Sequence, residues 1–225
     1  MGTNQRRIRH QLLITLGLSS AVSVGLLAAR MVASQQLTYS FLAWNLVLAW
    51  VPLGFAWWLI ARLRTKPWLS AGNLLVTFLW IGFLPNAFYI ASDIIHLTET
   101  GTVSLLYDVV MFLSFTFNGF VLGYLGLFGV HQELKKRLSP RSSYGLVAGV
   151  LLLCSFAIYL GRYLRWNSWD ILVNPAGLIF DVSEPFLNPS GHPQVFTTTA
   201  MVFVLLMSVY AVSYQLVKLA HQNRE

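Results

Sequence analysis

Six charge-free apolar runs, each long enough to cross a bilayer as a helix, dominate this chain. They extend from Leu12 to Ala29, Phe41 to Ala61, Ala71 to Ser92, Val109 to Val130, Tyr144 to Leu160 or Gly161, and Val195 to Val217. A hydrocarbon core about 30 Å thick takes about 20 residues of helix, and lipid offers no partner to an unpaired backbone group. Every Lys, Arg, Asp and Glu falls between the runs. Composition agrees: 56% of the 225 residues are hydrophobic and 10% charged, where a soluble domain carries about a quarter charged. The expected fold is all-α, a single six-helix transmembrane domain over residues 1–225, and a water-soluble enzyme is excluded.

The net charge of +7 does not point to nucleic acid, because the basic residues flank the apolar runs in short blocks instead of sharing one folded face. With a cytoplasmic N-terminus, Arg6, Arg7, Arg9, Arg62, Arg64, Lys66, Lys135, Lys136, Arg137, Arg141, Lys218 and Arg224 lie inside, leaving Arg30, Arg162 and Arg165 outside. Asp93, Glu99, Asp108, Asp170, Asp181 and Glu184 share that outer face. The positive-inside bias therefore puts both termini in the cytoplasm. Arg6, Arg7 and Arg9 before the first run resemble the start of a signal peptide, but the run is longer than the usual signal core and is read as a retained helix. Cys154 lies within a run, so neither a disulfide framework nor a cysteine-based zinc site is available.

The third run departs most from a plain helix. Pro85 removes a backbone donor and crowds the preceding turn, which predicts a helix broken there and restarting beyond it. Asn86, Tyr89, Asp93 and His96 then fall within about 80° of one another, a polar stripe climbing to the outer surface. Asp93 and His96 are candidate catalytic residues for proton transfer and candidate ligands of a divalent metal, with His192, Asp170 or Glu184 as a third ligand. The plain alternative is that they are the first solvated residues past the membrane.

A second cluster follows the fifth run, where Arg162, Arg165, Trp166, Asn167, Trp169 and Asp170 bring two arginines to the disfavoured side of the membrane. On a continuing helix Arg162, Arg165, Trp166 and Trp169 share a face. Three readings stand: recognition of a lipid phosphate or other anionic substrate, an internal ion pair with Asp93, Asp108 or Asp170, and an aromatic belt with snorkelling arginines. The Arg162 to Gln194 loop is rich in proline and glycine and should be turns, with an apolar Ile171 to Phe180 portion at the interface or dipping into the bundle.

Elsewhere the residues read as architecture. Gly119, Gly123 and Gly126, and Gly145 with Gly149, suit close helix packing; Asn45 and Asn118 suit interhelical hydrogen bonds. His10, His131 and His221 adjoin basic segments and are expected to face water or headgroups.

The stretch Leu84-Pro85-Asn86-Ala87-Phe88-Tyr89-Ile90-Ala91-Ser92-Asp93-Ile94-Ile95-His96-Leu97 resembles the signature of a bacterial membrane family, domain-of-unknown-function family 1361. It departs at Phe88 and Ser92, where that pattern tends to have proline and threonine. Gly161 to Leu172 resembles the second signature, and Tyr107-Asp108 and Ser114 to Gly123 also fit. The resemblance implies a bacterial cytoplasmic membrane and transfers no catalytic role. Three classes of function follow: a membrane enzyme or a ligand- or metal-binding protein acting on a lipid-linked or anionic substrate, a structural or assembly protein, and a small-solute transporter. The first requires the two clusters to meet in one pocket. The proposed topology is checked by cysteine labelling in a Cys154→Ser background: Thr102→Cys should react with an impermeant maleimide on intact cells, and Arg141→Cys only after permeabilisation.

Overall fold

The computed structural model describes residues 3–99, 101–166 and 173–222. Its helices are α1 (Thr3–Ser34), α2 (Phe41–Arg62), α3 (Ala71–Tyr89), α4 (Leu105–Lys135), α5 (Pro140–Tyr163), α6 (Pro175–Leu187) and α7 (Pro193–Gln222), and no strand occurs among the described residues. All but α6 are long and apolar enough to cross a membrane, α3 together with the 3₁₀ segment Ile90–His96 that continues it. Their outer faces display large apolar side chains, such as Phe78, Leu113, Phe117, Leu153 and Met201, each about half exposed or more. Water would not tolerate so much exposed apolar surface, and lipid requires it. The protein is an integral membrane protein.

Within the bundle, α2 packs against α3 and α4, α5 against α3 and α7, and α1 against α4. The closest approach is made by the glycine face of α4. A Cβ on Gly119 would collide with the Ala87 carbonyl of α3, and one on Gly123 would stand 2.8 Å from the Phe88 ring. Gly126 sits 3.3 Å from Ala56 of α2 by the same measure. The spacing of Gly145 and Gly149 predicts the same for them, but a Cβ added to either would meet nothing within 4 Å among the described residues of this chain.

Polar side chains inside the bundle join helices, as lipid surroundings demand. Asn118 of α4 donates to Ser23 Oγ of α1 at 3.0 Å and to the Ser114 carbonyl at 2.9 Å. Arg30 of α1, fully buried, pairs with Asp108 of α4 at 3.1 Å and lies 4.5 Å over the Tyr39 ring. His131 is also fully buried, between Tyr210 and Ser143 Oγ, and not facing water as its basic neighbours suggest. Glu133 takes both Lys136 and Arg137, and Arg137 reaches back to the Leu63 carbonyl.

Two expectations about local structure change. The α-helix runs through Pro85 without interruption and tightens into the 3₁₀ segment only at Ile90. The proline's neighbours are held by α4 against Ala87 and Phe88, so packing keeps the helix where the sequence alone predicts a break. The long outer loop contains a helix, α6, with Pro185 inside it. Leu178 and Val182 of α6 pack beside Tyr159, Leu160 and Val195, while Ile179, Phe180, Phe186 and Leu187 remain exposed.

The unequal roles of the glycines give a direct check. Gly123→Leu should destabilise the protein by about 1–3 kcal/mol through overpacking, lowering the unfolding temperature measured in detergent, whereas Gly149→Leu should leave it nearly unchanged.

Candidate functional site

The site is built on the last third of α3. Gly82, Pro85, Asn86 and Tyr89 stand at i, i+3, i+4 and i+7 and therefore share one helix face. Beyond Tyr89 the chain becomes 3₁₀, in which residues three apart eclipse one another, so Asp93 and His96 stack on the same side. The polar stripe expected from the sequence forms, although the geometry that aligns its upper half is the tighter helix and not a restart after Pro85.

Against this face α5 ends. Gly161 brings its backbone so close that a Cβ there would lie 2.8 Å from the Tyr89 ring, and its carbonyl accepts the Tyr89 hydroxyl at 3.1 Å. The next residue, Arg162, lays its guanidinium 4.4 Å over the same ring. Its Nη2 donates to Asp93 Oδ1 at 2.6 Å and to Ser92 Oγ at 2.7 Å, its Nε to Ser92 Oγ at 3.1 Å, and its Nη1 points at His96 Nε2 at 2.8 Å. The Arg162 side chain is 11% exposed and that of Asp93 2%. The other Asp93 oxygen accepts from Asn45 of α2 at 2.8 Å. Three helices thus converge on one carboxylate. Because arginine has only donors, His96 Nε2 must present its lone pair, which assigns the imidazole proton to Nδ1.

The convergence surrounds a partly open cleft of about 340 Å³ between α2 and α5, floored by α3. Its mouth is polar, with Asn45, Asn86, Asp93, His96 and Arg162. Its side walls are the aromatic rings of Phe41, Trp44, Tyr89 and Trp166, and Leu178 of α6 closes one edge. Its inner end is apolar, formed by Leu48, Gly82, Ala157 and Leu160. With six crossings, this end of the bundle lies opposite both termini.

Of the predicted residues, Asn86, Tyr89, Asp93, His96, Arg162 and Trp166 come together here. Arg165 does not. Helix α5 stops at Tyr163, Arg165 adopts a left-handed turn with φ 60°, and the Trp166 amide returns to the Leu160 carbonyl at 3.2 Å, so no continuing helix carries Arg162 and Arg165 on one face. Arg165 is exposed outside the cleft. Trp166 donates its indole N–H to Asp181 at 2.8 Å. Asn167, Trp169 and Asp170 lie outside the described residues.

The metal set takes a different form from the one expected. His192 pairs with Glu184 at 3.0 Å and does not line the cleft. Asp93 and His96 are bridged by the Arg162 guanidinium, a cation already seated where a metal would have to bind both. No group of three metal-ligating side chains forms among the described residues. Sequence reasoning misses Ser92, which accepts two of the arginine's bonds, and Gly82 and Trp44 in the walls. Gly82 was within reach, since it extends the same helix face one turn below Pro85 and Asn86.

Compared with known proteins, the chain matches the family model described as "Protein of unknown function (DUF1361)" over residues 44–212. No curated protein and no solved structure matches it. The matched region contains every described residue of the cleft except Phe41.

The ion pair at the centre has a measurable signature. Removing one partner leaves a buried charge, so Arg162→Met or Asp93→Leu alone should each cost about 3–5 kcal/mol. The double variant should recover much of that loss, which a double-mutant cycle of unfolding free energies in detergent would reveal as strong coupling.

Proposed function

The chain belongs to the DUF1361 family of membrane proteins, and from the cleft of this member we propose that it binds a single amphiphile from the lipid phase. The polar head of that ligand sits at the Asp93, His96 and Arg162 mouth, and its apolar tail lies along α3 toward Gly82. One observation carries the reading: polarity along the cleft changes from charged and amide groups at the helix ends to Leu48, Gly82 and Ala157, one from each of the three helices, further in. A solute taken from water would have no use for the apolar end, and an ordinary bilayer lipid would have none for a buried carboxylate held by three helices. A volume of about 340 Å³ falls at the small end of ligand pockets, enough for a head group and the first segment of a chain.

In this proposal Tyr89 and Asn45 are positioning residues, holding Arg162 and Asp93, while His96 faces the ligand from the exposed rim. The membrane is a bacterial cytoplasmic membrane with both termini in the cytoplasm, which opens the cleft to the exoplasmic leaflet. The inner end supplies the test. A Cβ added to Gly82 would meet nothing within 4 Å, so this position accepts a larger residue without a clash. Extracted with native lipids into copolymer nanodiscs, the wild-type protein should retain one amphiphile at near-stoichiometric level by mass spectrometry, and Gly82→Leu and Ala157→Phe should lose it. Identical lipid profiles for wild type and both variants would refute the proposal.

A further inference from the structure

Resting on that reading of the cleft, we infer that the head group is uncharged and rich in hydroxyls, a sugar-like head rather than a phosphate. The guanidinium that makes the site look suited to anions is already engaged. Among the described residues, four of the five N–H groups of Arg162 are taken by Ser92, Asp93 and His96. Its charge is cancelled by Asp93 at 2.6 Å. His96 Nε2 meets the arginine's N–H as an acceptor, an arrangement in which the imidazole adds no charge. The ionisable groups lining the cleft, Asp93, His96 and Arg162, then sum to zero.

Among the described residues that line the cleft, no basic side chain other than Arg162 adds a positive charge. Asp181 stands just behind Trp166 with its carboxylate on the indole N–H and without a basic partner among the described residues. This end of the chain carries more acids than bases, with Asp93, Glu99, Asp108, Asp181 and Glu184 against Arg30, Arg162 and Arg165 in the described residues. An anionic head would face that field and compete with Asp93 for one arginine, a poor exchange in a site screened from water. A cationic head would meet the outward donors instead.

Among the described residues, the groups left at the mouth offer a mixture of both hydrogen-bonding senses. His96 Nδ1–H and the fifth Arg162 N–H donate, while Asn45, beyond its bond to Asp93, has a carbonyl that accepts and a second amide hydrogen. A hydroxyl does both at once and needs no counter-charge. The Trp44 and Trp166 rings add flat apolar faces on which the C–H side of a sugar ring rests.

The test compares three probes with one tail, n-octyl β-glucoside, octyl phosphate and octyltrimethylammonium, each below its micellar concentration. Equilibrium dialysis against full-length protein in nanodiscs, corrected with empty nanodiscs, gives the binding of each. The glucoside should bind about tenfold more tightly than either charged probe, weaken on Trp44→Ala, and vanish with Gly82→Leu. Octyl phosphate or octyltrimethylammonium binding as well as the glucoside, and lost with Gly82→Leu, would overturn the head-group inference and leave the amphiphile cleft standing. Glucoside binding unaffected by Gly82→Leu would overturn both. Absence of glucoside binding to wild-type protein from which the native amphiphile has first been exchanged out, where Gly82→Leu does abolish retention of that amphiphile, would overturn the inference alone.

Discussion

A charge that leaves water must find its opposite, and in this bundle that requirement organises the end away from the termini. The Arg162–Asp93 contact joins the last turn of α5 to the 3₁₀ continuation of α3, with Asn45 of α2 on the second carboxylate oxygen. Each partner alone would be prohibitive at this depth, so the pair forms as a unit or the helix ends separate. The arrangement needs Gly161 to admit the Tyr89 ring and needs the tighter 3₁₀ winding to stack His96 over Asp93. The cleft follows as a consequence. Helices α2 and α5 are held to α3 from two sides by polar bonds at the top, and nothing comparable draws them together lower down, where Leu48, Gly82 and Ala157 leave space.

A second pair repeats the principle with a different outcome. Arg30 and Asp108 are more deeply buried still, and the arginine is again covered by a tyrosine ring, here Tyr39. That pair is sealed inside the bundle, where Tyr107 of α4 bonds the Leu26 carbonyl of α1 at 2.7 Å. The contrast separates two uses of one interaction. Arg30 with Asp108 locks two helices, whereas Arg162 with Asp93 locks three and leaves an imidazole and an amide on the rim of a space.

The spans were legible because lipid imposes a length and a composition that nothing else in the sequence imitates; each apolar run became one crossing helix. The polar stripe from Asn86 to His96 was legible for the same reason, since it breaks an otherwise apolar face. The course of the backbone was less so. Pro85 predicts a break, but the glycine face of α4 clamps Ala87 and Phe88, and that restraint lies more than thirty residues away in sequence. His131 misled because its basic neighbours suggest water, while its partners Tyr210 and Ser143 come from other helices. The grouping of Arg162 with Arg165 failed at the left-handed turn of Arg165, a conformation that residue type does not announce.

Arginine near a membrane surface invites the reading of a phosphate site, and the residue alone cannot refuse it. What decides is how many of its donors are already used and whether its charge is already matched. Arg165 is exposed outside the cleft, whereas Arg162, a few residues earlier, is turned inward onto Ser92, Asp93 and His96. The same side chain type is therefore left exposed in one position and held as a charge-paired strut in the other. A strut of this kind orients the His96 ring and the direction of the remaining donors, so a ligand of the kind proposed would be selected by hydrogen-bond pattern and ring stacking instead of net charge.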